Sequence, residues 1–151
     1  MKKELQKQLF DKYPKIFRQK DLSMKETCMC WGIDTGDGWY NLLDMLCDQL
    51  QFNTERNKYP QIEATQVKEK FGALRFYYQP IPTEQSKQVD EEWQNRNFGE
   101  QEGLISFAEF MSGYICEKCG TNQKVERNDE GWIVTLCDKC RTHQGTQHEA
   151  T

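Results

Sequence analysis

Four cysteines near the C-terminus have the types and spacing for metal chemistry: Cys116 and Cys119, then Cys137 and Cys140. Each Cys-x-x-Cys pair can bend into a knuckle that points two thiolates at one ion. The 17 residues from Gly120 to Leu136 separate the knuckles, inside the window of two-knuckle zinc sites. Gly120 follows the first pair, where a knuckle needs a residue that tolerates positive φ. Four thiolates close a tetrahedral shell around one structural Zn²⁺ per chain. No coordination position is left for water, so such a site holds structure and carries out no reaction. Two disulfides are the competing use of these residues. Disulfides belong to oxidising compartments, and Met1-Lys-Lys-Glu-Leu-Gln-Lys has no apolar secretion segment. Seven cysteines without such a segment point to a reducing, cytoplasmic setting.

The zinc site needs a scaffold. The chain has 151 residues, of which 36% are hydrophobic and 29% charged, enough for one compact domain plus a small metal module. No apolar run approaches the length of a membrane span. The formal charge of −4 argues against a generic nucleic-acid coat and still permits a local basic patch. The expected class is α+β: a helix and β-hairpin domain over residues 1–114, a four-cysteine zinc ribbon over 115–142 and a polar, flexible tail over 143–151.

Leu5, Leu9 and Phe10 share a face of a first helix that Pro14 limits, with Tyr13, Ile16 and Phe17 turning against the core. Cys28 and Cys30 would share a face in a strand and, with Cys47, read as buried free thiols. Asp34-Thr35-Gly36 spells a protease tripeptide without a second copy to pair with. Asp37 suits a helix N-cap, with a helix from about Gly38 to Gln51. Trp39, Leu42, Leu43, Leu46, Cys47 and Leu50 form its continuous apolar face, while Asp44 and Asp48 look to solvent. The glycines ahead of that helix could also receive an anion.

Gln61 to Tyr78 reads as a β-hairpin turning at Phe71-Gly72. Alternation favours the register in which Lys70 faces Ala73. Thr65, Val67 and Glu69 then share a face with Tyr78, Phe76 and Leu74. Gln66, Lys68, Lys70, Arg75 and Tyr77 gather on the other face, with Lys68 directly across from Arg75. Like charges across a strand pair repel, so Glu63, Glu69, helix acids or a bound anion should offset them. As a ligand site, Arg75 would fork onto phosphate, Lys68 and Lys70 would add charge, and Tyr77, Trp39 or Tyr40 would stack on a base.

Beyond Pro80 and Pro82, a polar helical segment places Val89 and Trp93 four apart, and Asn95 to Gly103 reads as a loop. Leu104, Phe107, Ala108 and Met111 form a second buried stripe, flanked by Phe110 and Tyr114. Two short strands around Asn128-Asp129-Glu130-Gly131 complete the zinc ribbon. Its cations Lys124, Arg127, Lys139 and Arg141 could contact nucleic acid, but Glu117, Glu126, Asp129, Glu130 and Asp138 counter them. The two histidines, His143 and His148, sit in the tail away from any nucleophile, and the metal shell is closed. The residues therefore point away from an enzyme.

Three strings carry a resemblance: Gly36-Asp-Gly-Trp-Tyr40, Val67-Lys-Glu-Lys-Phe-Gly-Ala-Leu-Arg-Phe-Tyr77 and the paired Cys-x-x-Cys motifs. Over roughly Trp31 to Cys140 the chain resembles a family of small proteins that recur in bacteriophage and prophage genomes. The resemblance implies action in a bacterial host cytoplasm. The roles it implies are counter-defence by inhibiting a host protein or capturing an anionic nucleotide signal, or regulation through nucleic acid. The hairpin cations suit any anionic partner, and an uncovered hairpin edge could join two copies in a homo-oligomer.

Overall fold

The computed structural model describes residues 1–145. The apolar face read from the sequence organises it. Trp39, Leu42, Leu43, Leu46, Cys47 and Leu50 are all buried, and they turn α2 (Tyr40–Asn57) onto a three-stranded sheet. The sheet has the order β1 (Ile33–Asp34), β2 (Gln61–Lys70), β3 (Ala73–Ile81), with β1 parallel and β3 antiparallel to β2. α1 (Lys3–Lys12) and the turn after it bring Leu9, Tyr13, Ile16 and Phe17 into the same core. α3 (Glu91–Ser112) lies along β3. A second, smaller unit contains β4 (Val125–Arg127), β5 (Thr135–Cys137) and α4 (Asp138–Gly145). The chain is thus α+β with a C-terminal cluster of four cysteines. No described helix is long and apolar enough to cross a membrane.

Several local expectations change. Asp37 does not cap α2. A 3-10 turn over Asp37–Trp39 precedes the helix, and the Asp37 carboxylate accepts the Lys2 backbone N–H at 2.7 Å and pairs with its ammonium at 3.1 Å. Asp44 is half-buried rather than solvated. Lys12 and the Tyr13 hydroxyl donate to it at 2.9 and 2.8 Å. Cys28 precedes and Cys30 lies on a 3-10 turn over Met29–Trp31, not a strand; Cys28 is exposed and Cys30 half-buried. Only Cys47 of these three is a buried thiol, and burial pushes its pKa up. α4 reaches Gly145, past the expected start of the tail at 143, and residues 146–151 of that tail lie outside the described residues.

The hairpin has the expected register near its turn, with Lys70 opposite Ala73 and Lys68 opposite Arg75. Phe71 and Gly72 both have positive φ, 54° and 73°, as a two-residue turn matched to strand twist requires. The Glu69 carboxylate fixes the turn by accepting the Gly72 N–H at 2.6 Å. A bulge falls between Ala64 and Gln66, so Ala64 rather than Thr65 faces Tyr78. The shift brings Ala64 and Ile62 into the core with Val67, Leu74 and Phe76. The outer edge of β3 is capped by side chains of α3. Ser112 Oγ accepts the Leu74 N–H at 2.9 Å, and Glu109 Oε1 accepts the Phe76 N–H at 2.8 Å. Those two N–H groups are therefore already engaged, which occupies this stretch of the β3 edge.

The stretch Asn95 to Gly103 is helix, not loop. α3 runs unbroken from Glu91 to Ser112, with the Asp90 carboxylate capping it through the Trp93 N–H at 2.8 Å. Its buried positions are Asn97, Gln101, Ile105, Ala108 and Ser112. More than half of that face is polar, so no apolar period marks it. Gln101 is satisfied on one side by donating to the Pro60 carbonyl at 3.1 Å. With Ile105 and Ser112 inward, the expected buried stripe is rotated. Ala108 is buried, Leu104 and Met111 are half-buried, and Phe107 is 61% exposed. Gly99 and Gly103 lie in this helix, and a Cβ at either would meet nothing within 4 Å. Gly99→Ala and Gly103→Ala should each stabilise the protein by about 1 kcal/mol, read as a higher urea midpoint with an unchanged slope.

Candidate metal centre and adjoining surfaces

The first knuckle follows α3 directly. Its turn closes with the Gly120 N–H on the Cys116 carbonyl at 2.8 Å, and Gly120 takes φ 78°. Cys137 ends β5 and Cys140 sits in the first turn of α4, so the β4–β5 hairpin brings the second pair back over the first. The four Sγ atoms lie within 4.8 Å of one another, and Cys119 and Cys137 are 3.7 Å apart. Tetrahedral coordination with metal–sulfur bonds of zinc length sets neighbouring sulfurs about 3.8 Å apart, so the donor set fits one ion. Burial opposes ionisation of Cys116, but backbone N–H groups of Cys137, Cys119 and Lys118 bring its pKa down to about 7. Burial and the three neighbouring sulfurs push Cys140 up to about 12. Four sulfurs this close carry four negative charges only around a cation.

The module is seated on the main domain at two places, and both lie in strings already singled out by sequence. At the first, the Gly38 N–H donates to the Glu117 carbonyl at 2.7 Å and the Gly36 N–H to Glu117 Oε1 at 2.8 Å. The Trp39 indole N–H reaches the Ile115 carbonyl at 3.0 Å. A Cβ on Gly38 would stand 2.1 Å from the Cys116 carbonyl oxygen and 2.5 Å from the Gly120 nitrogen. The Gly36 N–H thus receives the chain's own Glu117 carboxyl, whose pKa burial raises against the pull of that N–H, while the Gly38 N–H is taken by the Glu117 main-chain carbonyl. At the second seat, Thr135 Oγ1 donates to the Gly72 carbonyl at 2.5 Å, beside the hairpin turn. The glycines look like ordinary turn residues in the sequence. The backbone that crowds Gly36 and Gly38 comes from about eighty positions away.

The proposed ligand residues divide. Lys68, Lys70, Arg75 and Tyr77 do share the outward hairpin face, with the Lys68 ammonium 5.7 Å from the Tyr77 ring centre. Glu63 and Glu69 do not offset these cations. Glu63 is held by Arg18 at 2.5 and 2.8 Å, which draws its carboxyl below the usual range, and Glu69 serves the turn. The acid near Arg75 is Glu109 of α3, 3.9 Å from Nη1. Trp39 is fully buried and Tyr40 donates to Gln8 at 3.0 Å on the α1 side, so neither offers a ring to this face. Phe110, Tyr114 and Arg127 stand beside Arg75 instead, around an open cleft of about 470 Å³. No sequence pattern joins these residues, because α3, β3 and β4 meet only in three dimensions.

Two of the four ribbon cations are engaged within the module. Lys124 pairs with Asp138 at 3.7 Å, and Arg141 pairs with Glu126 and Asp138 at 2.8 and 3.2 Å. Among the described residues Arg127 and Lys139 of that group have no ion pair. Family models, curated proteins and solved structures gave no match to the chain.

Proposed function

We propose that the chain is a non-enzymatic binding protein, stapled by one structural zinc on Cys116, Cys119, Cys137 and Cys140, that engages an anionic component of a host cell through its hairpin. The four-thiolate shell suits zinc, and a closed shell supplies folding energy rather than a reactive water. A counter-defence role in a phage-infected bacterium is supported by the resemblance of the three sequence strings, and partner binding by the surface.

One observation carries the reading. Lys68 and Arg75 face each other across the strand pair, with Lys70 one rung on, and neither lysine has an ion pair among the described residues. That arrangement costs stability in the free protein, and a bound anion relieves it. An acidic protein surface and a phosphate-bearing nucleotide both meet this requirement. ATP and poly-L-glutamate serve as probes at low ionic strength. Melting temperature should rise with at least one probe and fail to rise in Lys68→Ala/Lys70→Ala, which should itself melt slightly higher than the parent without a probe. No rise with either probe sinks the reading.

A further inference from the structure

The hairpin cations adjoin a surface of different character. Phe110 and Tyr114, one turn apart on and just beyond α3, are 61% and 56% exposed, with ring centres 5.2 Å apart. They form a ridge between two clefts. One is the 470 Å³ cleft with Arg75, Glu109 and Arg127. The other, about 710 Å³, is lined by Leu42, Met45, Met111 and Ile115 along with the ridge and the first knuckle. Met45 is 63% exposed. Large exposed aromatic, methionine and arginine side chains side by side are the composition of a protein interface centre.

Resting on the reading that the protein engages an anionic partner, we infer that this ridge docks a segment of a partner protein bearing a bulky apolar side chain next to a carboxylate. The apolar side chain fills the cleft beside Met45, and the carboxylate enters between Arg75 and Arg127. Charge complementarity sets the second half. The cleft holds two guanidinium groups and one acid, Glu109, whose Oε1 accepts the Phe76 N–H and whose Oε2 lies 3.9 Å from Arg75, so one positive charge is left without a counter-charge. Arg127 has no ion pair among the described residues. A nucleotide fits less well. The two rings are tilted by 54° rather than set as parallel walls, and no cation lines the larger cleft.

Selection of random displayed dodecapeptides against the full-length, zinc-loaded protein tests the assignment. Enriched sequences should place Asp or Glu within a few residues of an aromatic or large aliphatic residue. A synthetic copy of the best should bind in titration calorimetry. Tyr114→Ala should weaken it about 30-fold or more and Arg127→Glu about tenfold, while Lys87→Glu, outside both clefts and the hairpin face, changes it little. Both residues are exposed, so unchanged melting curves will separate lost binding from lost fold. Acidic peptides that ignore Tyr114→Ala and Arg127→Glu but are lost in Lys68→Glu overturn the ridge and leave the hairpin reading standing. Failure to enrich any acidic peptide overturns the ridge as well. So does a sedimenting dimer split by Tyr114→Ala, which would make a second copy the occupant, or ATP bound at these residues in place of peptide.

Discussion

Removing the metal, by chelation or by Cys119→Ser, should unfold residues 115–145 and lower the melting temperature of what remains. The module cannot hold itself. Its buried apolar cluster is only Leu136 with the half-buried Val125 and Val134, packed on the cysteines. A structural zinc contributes about 10–16 kcal/mol of apparent binding energy in small modules, comparable to the whole stability of an ordinary domain. Cys119 is exposed, so its thiol packs little and the serine variant reports on the metal rather than on a cavity. The effect should spread, because the Trp39 indole and the Gly36–Gly38 amides lose their partners in Ile115 and Glu117. Trp39 is fully buried, so a red shift in tryptophan emission should accompany loss of the module's amide dispersion in NMR spectra. A melting profile unchanged after complete metal removal would falsify the stapling role.

Gly38→Ala should cost about 3 kcal/mol or more. The added carbon would meet backbone, not a flexible side chain: the Cys116 and Glu117 carbonyls and the Gly120 nitrogen. Backbone inside a metal knuckle cannot shift without distorting the ligands. The structure must therefore either strain or break the Gly38–Glu117 hydrogen bond and lift the module off its seat. Gly99→Ala is the matched control, the same chemical change with nothing within 4 Å, and its sign is opposite. Urea unfolding of the two variants measures both. If Gly38→Ala stays within about 0.5 kcal/mol of the parent, the seat is not rigid and the module does not depend on it. Metal content by native mass spectrometry then tells an undocked module, which keeps its ion, from an unfolded one, which does not.

Sequence alone determined what depends on short-range regularity. The Cys-x-x-Cys spacing placed four sulfurs together because each knuckle is a local turn. The period of Trp39 to Leu50 named the buried face of α2, since a helix repeats its own geometry. Alternation set the hairpin register near its turn. It lost a residue at the Thr65 bulge, which answers to core packing rather than to the strand pattern.

Tertiary structure decided the rest. α3 was hidden because Asn97 and Gln101 occupy its inner face, where their burial depends on partners such as the Pro60 carbonyl rather than on an apolar period. Trp39 and Tyr40 could be offered as ligand residues only until their partners were known, Ile115 and Gln8. Arg127 meets Arg75 only because the metal module is seated on Gly36, Gly38 and Gly72. Contacts between residues far apart in the chain leave no periodic trace in it. They form where separate surfaces close on one another, and the surface proposed to receive a partner lies at such a closure.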